Sequence, residues 1–407
     1  TKLPRPLIEK VTNRWQRDFI SPHLDTITSD DRNLQFGDLE EDKSCWHKTN
    51  EALKSRRFRR IVFTFCILLT LVIYGWRWHV KPQMQEEWEL MEGFMALGSN
   101  GTYGWASGGD FDGTFVKELD PKLLPGGESD TYGKRRLIFV GDIHGCRSEF
   151  VSLLKNSNFD KNLDHVIAVG DVISKGPDNI GILNELIRIG ADSVRGNHED
   201  RILLSLNSIR DRESLQSEAS TSTGSHRDAR IIKSLEDKHI KYLRSMPLMI
   251  RIPALPQAKK ASRKDTARIA EEIMIVHGGL VPHVPSLKQD PYFVMNMRSI
   301  DRITHIPSAQ RETKKGRSLP WTEIWNWYND RLYRGRSVRD FHNFESNENN
   351  IKRPKVVVYG HDSKAGLQIH RWSKGLDSAC VSGGKLTAMI LYANGKTELV
   401  QVGCKNY

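Results

Sequence analysis

The apolar residues of this chain follow two patterns. From Ile61 to Trp76 they form one uncharged run rich in Ile, Leu, Val and Phe, with Tyr74, Trp76 and Trp78 at its far end. No amphipathic period runs through it, so it does not read as a helix half-buried on a soluble core. After Arg135 the apolar residues come instead in short runs of strand type: Leu137–Val140, His165–Val169, Ala191–Arg195, Ile273–Val276 and Val356–Tyr359. Each run stops at a glycine or a histidine. Helical spacing follows the first three, over Ser148–Leu154, Ile180–Ile189 and Glu199–Leu206, and Pro177-Asp178 stand where a helix start favours them. Ala379–Val402 alternates apolar and polar positions around Gly383-Gly384 and Asn394-Gly395, which predicts an antiparallel hairpin. Strand, turn and helix in repetition predict an α/β fold of two mixed sheets packed as layers with helices outside. Its ligand-bearing loops belong at the carboxyl ends of the strands.

The long apolar run is a little shorter than the ~20 residues of a typical membrane span but close to the ~17 lower limit once Trp78 and its neighbours lie at the interface. Lys54, Arg56, Arg57, Arg59 and Arg60 precede it, against Arg77 and Lys81 after it. That excess predicts a single-pass signal anchor over 61–78 with its amino-terminal side in the cytosol. Residues 1–60 read as a cytosolic, mostly disordered tail containing the acidic cluster Asp38 to Asp42. Residues 79–134, rich in Gly, Asp and Glu, read as a luminal stalk, and Asn100-Gly101-Thr102 is a glycosylation sequon on the same side. The folded domain is expected over 135–407. Within it, 207–264 breaks the repetition, Ser-rich around Ser217–Ser225 and basic around Lys259–Lys264, and reads as an insertion of partial helix and loop.

Charge and cysteine content narrow the picture only slightly. A net charge of +11 suits a polyanionic partner such as a phosphate-rich substrate, although for net charge alone a solvated basic surface is the better account. Five scattered cysteines are too few for a disulfide framework and contain no Cys-x-x-Cys zinc pattern.

The chemistry sits just past the strands. Gly141-Asp142-Ile143-His144-Gly145 ends the first. Gly170-Asp171 ends the second and runs on through Val172-Ile173-Ser174-Lys175-Gly176-Pro177. Gly196-Asn197-His198-Glu199, His277-Gly278-Gly279 and Gly360-His361 end the others. Any one of these is an ordinary turn or a satisfied histidine. Five in order, each carrying oxygen or nitrogen ligands, describe a divalent-metal site.

These blocks, over roughly Arg136 to Ala393 apart from the insertion, resemble the calcineurin-like metallophosphatases of the phosphoprotein-phosphatase superfamily. They are most similar to the ApaH-like branch, on Gly141–Cys146, Gly170–Asp178, Tyr359–Asp362 and Leu376–Leu386. With a single amino-terminal anchor, the chain is also similar to the endopolyphosphatases of fungal vacuoles within that branch. The resemblance implies two divalent ions, zinc by preference with manganese, cobalt or iron as alternatives. Asp142, His144 and Asp171 would hold the first; Asp171 would bridge to the second, held also by Asn197, His277 and His361. A hydroxide between the ions would attack phosphorus in line, with His198 as general acid on the leaving oxygen.

One block departs from the protein-phosphatase pattern. Where that pattern has Asp-Arg, this chain has Ser174-Lys175, the pair of the ApaH-like group. The Asp would orient the catalytic histidine, so His198 lacks that partner. The Arg would grip phosphate bidentately, whereas Lys175 offers a point charge. Arg298 is a second candidate phosphate contact, and Lys259, Lys260, Arg263 and Lys264 could steer a polyanion or simply be solvated. Trp321, Trp325 and Trp327 read as core packing of an accessory helix. The function implied is internal cleavage of inorganic polyphosphate in the vacuole lumen by a type II membrane protein, with no nucleic-acid partner. A dinucleoside polyphosphate hydrolase and a serine/threonine phosphoprotein phosphatase are the enzyme alternatives. An inactive membrane-tethered binding domain is the alternative from another class.

Overall fold

The computed structural model describes residues 55–82, 84–85, 111–215, 226–258, 268–302, 304–311, 317–334 and 353–407. The expectations for the tail before residue 55, the sequon at Asn100, most of the stalk, Ser217–Ser225 and the four basic insertion residues lie outside these. The chain divides into two units, Thr1–Val80 and Lys81–Tyr407.

In the first unit, helix α1 (Arg56–Gly75) starts where the Ser55 hydroxyl accepts the Phe58 N–H at 3.1 Å, an N-cap. It runs on through a π-helical turn, Trp76–Val80. Arg56–Val80 is long and apolar enough to cross a membrane, and none of its apolar window is buried by protein. Thr64 and Thr70 return their hydroxyls to carbonyls one turn back, which satisfies them without water.

The second unit contains β1 (Val116–Glu118), β2 (Arg136–Val140), α2 (Arg147–Asn156), β3 (Asp164–Ala168), α3 (Asn179–Ile189), β4 (Asp192–Ser193) and α4 (Asn197–Leu215). It continues with α5 (His226–Ser234), α6 (Asp237–Ser245), β5 (Met249–Ile252), β6 (Glu272–Ile275), α7 (Pro291–Asn296), β7 (Ser299–Asp301), β8 (Pro307–Ser308), β9 (Ser318–Pro320) and α8 (Trp321–Arg334). It closes with β10 (Lys355–Tyr359), β11 (Gln368–Ile369), β12 (Ser373–Gly375), β13 (Lys385–Tyr392) and β14 (Thr397–Gly403). One mixed sheet has the order β1-β5-β6-β10-β12-β11 and the other β14-β13-β2-β3-β4; β7, β8 and β9 form a small third sheet.

The period-2 alternation of β2 shows why the layers form. Leu137 and Phe139 join a buried cluster with Met274 and Val357 of the other sheet. Ile138 and Val140 point the opposite way, into a cluster with Phe150, Leu153 and Ile182 of α2 and α3. Both faces of β2 are buried, so the strand reads as a continuous apolar run. Its β2-β3-β4 neighbours are parallel, as are β6 and β10. Their carboxyl ends therefore carry the five blocks.

Two core strands come from segments that the patterning assigned elsewhere. Val116–Glu118, within the expected stalk, pairs with Met249–Ile252, within the expected insertion, and the latter pairs in turn with β6. Both strands are only three or four residues long, too short for alternation to stand out. Cys380 and Cys404 are joined by a disulfide, tying the loop after β12 to the end of β14. Trp321 and Trp325 of α8 are buried in the sheet cluster, as packing residues should be. Trp327 is partly exposed, with Arg331 over its ring.

Candidate metal centre

The five strand ends converge on Asp171. Its Oδ1 lies 3.3 Å from His277 Nε2, while its Oδ2 lies 3.6 Å from His144 Nε2 and 3.7 Å from His198 Nε2. One oxygen thus faces each of two groups whose ligand atoms fall within 4.8 Å of one another, His144–Asp171–His198 and Asp171–His277–His361. Asn197 Oδ1 is 3.0 Å from His277 Nε2. Asp142 reaches the same centre from β2, and both of its oxygens accept the His361 N–H, at 3.2 and 3.1 Å. Of the six expected ligands, His144, Asp171, His277 and His361 fall within these two groups, Asn197 touches His277, and Asp142 adjoins them through the His361 backbone.

Room for these carboxylates is made by missing side chains. A Cβ on Gly196 would sit 2.3 Å from Asp171 Oδ1, and one on Gly360 would sit 2.0 Å from Asp142 Oδ1. The backbone is also strained here: φ is +47° at His144, +52° at Asp171, +79° at Ser174, +51° at Lys175 and +72° at His361. Left-handed conformations at non-glycine residues cost roughly 1–3 kcal/mol each and persist where the surrounding structure over-determines them, typically at functional sites.

Three histidines are arranged as metal ligands are. His144 Nδ1 meets the Ile173 carbonyl at 3.1 Å, His277 Nδ1 the Val169 carbonyl at 2.8 Å, and His361 Nε2 the Asn296 carbonyl at 3.0 Å. A carbonyl only accepts, so each of these nitrogens carries the proton and the other nitrogen faces the centre, as a lone pair in His144 and His361 and, between the oxygens of Asp171 and Asn197, as a second N–H in metal-free His277. His198 differs: its Nδ1 faces Arg201 Nη2 at 2.9 Å, a donor.

Charge accumulates in the same volume. Burial raises Asp142 well above the usual carboxylate range, with Asp377 and Asp171 adding repulsion. Burial likewise raises Asp377, and it lifts Glu199 to about 7 with the help of Asp171. Burial acts the same way on Asp171, but His277 and His198 outweigh it and hold that carboxyl well below its ordinary value. Burial lowers His144 to about 3, whereas in His277 the pull of Asp171 overcomes burial and raises the ring to about 10. A buried, mutually repelling set of carboxylates with three imidazole nitrogens converging on it suits divalent cations, which would displace the second proton of His277. The residues fit a two-metal site.

Of the expected phosphate contacts, Lys175 is exposed and its Nζ lies 3.0 Å from His144 Nε2. Arg298 is half-buried; it donates Nη1 to the Ala309 carbonyl at 3.0 Å and Nη2 to the His361 carbonyl at 3.4 Å, leaving Nε buried without a partner. The sequence reading missed the support beneath the ligands. Glu199, fully buried, accepts the N–H groups of Asp171 and Gly196 on Oε2 at 2.8 and 2.9 Å and that of Ile173 on Oε1 at 3.2 Å. It fastens two ligand loops to each other, and its place beside Asn197-His198 was the available signal. Asp377, Arg201 and Asp228 gave no such signal.

The profile of the calcineurin-like phosphoesterases matches residues 135–365. The zinc-dependent endopolyphosphatase of Saccharomyces cerevisiae is 25% identical over 292 residues, 66% of this chain and 81% of that protein. The symmetrical bis(5'-nucleosyl)-tetraphosphatase of Delftia acidovorans is 24% identical over 299 residues, 66% of this chain and 97% of that protein. Among solved structures, a candidate diadenosine tetraphosphatase superposes with a TM-score of 0.50 at 28% identity, covering 72% of this chain and 99% of that one.

Proposed function

From the premise that this chain belongs to the calcineurin-like phosphoesterase family and is a metal-dependent phosphoesterase, we propose that it hydrolyses phosphoanhydride bonds and cuts inorganic polyphosphate internally. The observation that carries this reading is the cationic rim. An exposed ammonium, Lys175, stands at His144 where the protein-phosphatase pattern has a bidentate Arg, and Arg298 stands at His361 with an unpartnered Nε. A point charge on a flexible stem accepts successive phosphates in varied geometry rather than gripping one phosphoryl group in a fixed fork. The two relatives named above are themselves, by their names, a polyphosphatase and a nucleoside tetraphosphatase.

In this reading Asp142, His144 and Asp171 hold one divalent ion, and Asp171, Asn197, His277 and His361 hold the other. The zinc dependence named in the yeast relative supports zinc. When bound, such ions polarise phosphoryl oxygens and supply an activated water. Asp171 keeps the two positions together, because one of its oxygens faces each group. The glycines at 196 and 360 leave the space that the Asp171 and Asp142 carboxylates occupy. Lys175 and Arg298 would neutralise the substrate's outer oxygens, and His198 Nε2, which faces the centre, would meet the leaving oxygen.

The apolar helix Arg56–Val80 supports a membrane anchor, and the excess of Lys and Arg before it supports a type II orientation with the catalytic unit outside the cytosol. The Cys380–Cys404 disulfide supports the same side independently, since such bonds persist in oxidising compartments. A vacuole-like lumen, where polyphosphate is stored, is the compartment we propose. The test is gel analysis of long-chain polyphosphate incubated with the purified full-length protein and divalent metal. Mid-length fragments that vanish in Asn197→Ala are expected. No cleavage, alongside rapid turnover of diadenosine tetraphosphate, would establish the second reading, which the 97% coverage of the Delftia enzyme favours. Topology is read from glycan at Asn100; protease access to the catalytic unit from the cytosolic side would reverse it.

A further inference from the structure

His198 breaks the arrangement that the other three histidines share. Its Nδ1 meets Arg201 Nη2 at 2.9 Å, one helical turn along α4. A guanidinium has donors only and keeps its proton, so Nδ1 accepts and the ring proton of His198 lies on Nε2. That nitrogen is the one 3.7 Å from Asp171 Oδ2, facing the metal centre. Arg201 is itself held in place: Nε donates to Asp228 Oδ2 at 2.8 Å and Nη2 to Oδ1 at 3.2 Å. Asp228 is buried and belongs to α5, within the segment that interrupts the α/β repetition. Its neighbour Arg227 donates Nη1 to the Lys175 carbonyl at 3.1 Å. One inserted helix thus braces both His198, through Arg201, and the Lys175 backbone, where the chain departs from the protein-phosphatase pattern.

We propose that Arg201, fixed by Asp228, is the positioning residue of His198 and makes it a neutral hydrogen-bond donor to the leaving oxygen. The inference rests on the reading of the reaction as phosphoanhydride hydrolysis. A carboxylate partner would accept Nδ1–H, so Nε2 would need a second proton before it could donate. With a guanidinium partner the neutral ring already presents Nε2–H. As the water oxygen bonds to phosphorus, the bond from phosphorus to the bridging oxygen breaks and its electron pair leaves on that oxygen. Nε2–H hydrogen-bonds the departing oxygen and keeps its proton, while the water's proton passes to solvent. A phosphate is stable as the departing anion and needs no more than this; a serine alkoxide does. The Arg201–Asp228 pair therefore selects anhydrides over alkyl phosphoesters.

The test is a double-mutant cycle on the full-length, metal-loaded protein in detergent, with tripolyphosphate, p-nitrophenyl phosphate and a phosphoserine peptide as substrates. On tripolyphosphate, Arg201→Ala should lower kcat by about tenfold or more with KM held within about twofold, and His198→Ala by about 100-fold. The double variant should be no slower than His198→Ala alone, a coupling that loss of structure would not produce. Arg201→Lys should restore part of the rate. Asp228→Asn should reproduce the Arg201→Ala pattern in milder form, and these two variants carry the test if melting shows that Arg201→Ala does not fold. A further loss from Arg201→Ala in the His198→Ala background, or a wild-type kcat in Arg201→Ala, overturns the positioning role. Wild-type cleavage of the phosphopeptide as fast as tripolyphosphate, with the coupling intact, overturns the anhydride reading and the neutral-donor role but leaves Arg201 as the positioning residue. Inertness toward all three substrates overturns both.

Discussion

Replacing Lys175 with Met should tighten metal binding and weaken substrate binding, two effects of opposite sign from one side chain. The Lys175 ammonium stands 3.0 Å from His144 Nε2, the nitrogen left as a lone pair because Nδ1 is committed to the Ile173 carbonyl. A cation bound to His144 takes that same lone pair, so loading the site breaks the ammonium's bond. A charge-assisted hydrogen bond is worth roughly 1.5–3 kcal/mol, but Lys175 is exposed and regains water when it swings away, which leaves a net cost of about 1 kcal/mol. At ~1.4 kcal/mol per tenfold, that is about a fivefold gain in affinity at the site containing His144 for the Met variant. Met keeps the length of the stem and meets the same φ of +51°, so backbone strain is unchanged. The assay is competition for zinc between the metal-free full-length protein and a chromophoric chelator, with Lys175→Arg as the cation-retaining control. On polyphosphate the same Met variant should raise KM by about fivefold, and the effect should shrink as salt is added. Equal or weaker zinc binding by Lys175→Met would refute the competition.

Three other outcomes follow from particular contacts. His277 is raised to about 10 by Asp171, so below that pH the metal-free ring is protonated and must release its proton to ligate; zinc affinity should climb about tenfold per pH unit from about 6 to 8, with at least one proton released, measured by calorimetry in buffers of different ionisation enthalpy. Asp130 accepts the N–H groups of Gly126, Lys134 and Arg135, each at 2.9 Å, so Asp130→Ala should destabilise the catalytic unit by about 2 kcal/mol or more in urea titrations. Burial alone would raise that carboxyl, but the three amides lower it, so its contribution is full above the ordinary carboxylate range and fades as pH falls through the lowered value; a variant cost that is constant down to the acid transition would contradict this. Finally, the Cys380–Cys404 bond closes a loop of sequence separation 24, worth roughly 3 kcal/mol in unfolded-chain entropy, so Cys380→Ser/Cys404→Ser should melt several degrees lower while an unchanged melting temperature would show the loop to be held by packing alone.

Most of the fold was legible because its central strands are buried on both faces. Leu137–Val140 and Val356–Tyr359 announce themselves as uninterrupted apolar runs, and the glycine or polar residue after each marks where the loop begins. The edges were not legible. Val116–Glu118 is a short strand whose partner lies more than a hundred residues away, so nothing local distinguishes it from a stalk. Cys380 and Cys404 are unremarkable in spacing, and only the hairpin between them brings them together.

The same division runs through the metal centre. Side-chain type alone determined that Asp142, His144, Asp171, Asn197, His277 and His361 offer oxygen and nitrogen at successive strand ends, because donor chemistry belongs to the residue. What each ring does with its two nitrogens belongs to its neighbours. His277 is committed by a carbonyl 108 residues away in sequence, and His198 is set apart by a guanidinium that is in turn anchored 27 residues further on. Tautomer, orientation and the bridging posture of Asp171 arise only when distant strands are laid side by side. Sequence therefore gives the inventory of ligands, and the tertiary structure decides which atom of each faces the reaction.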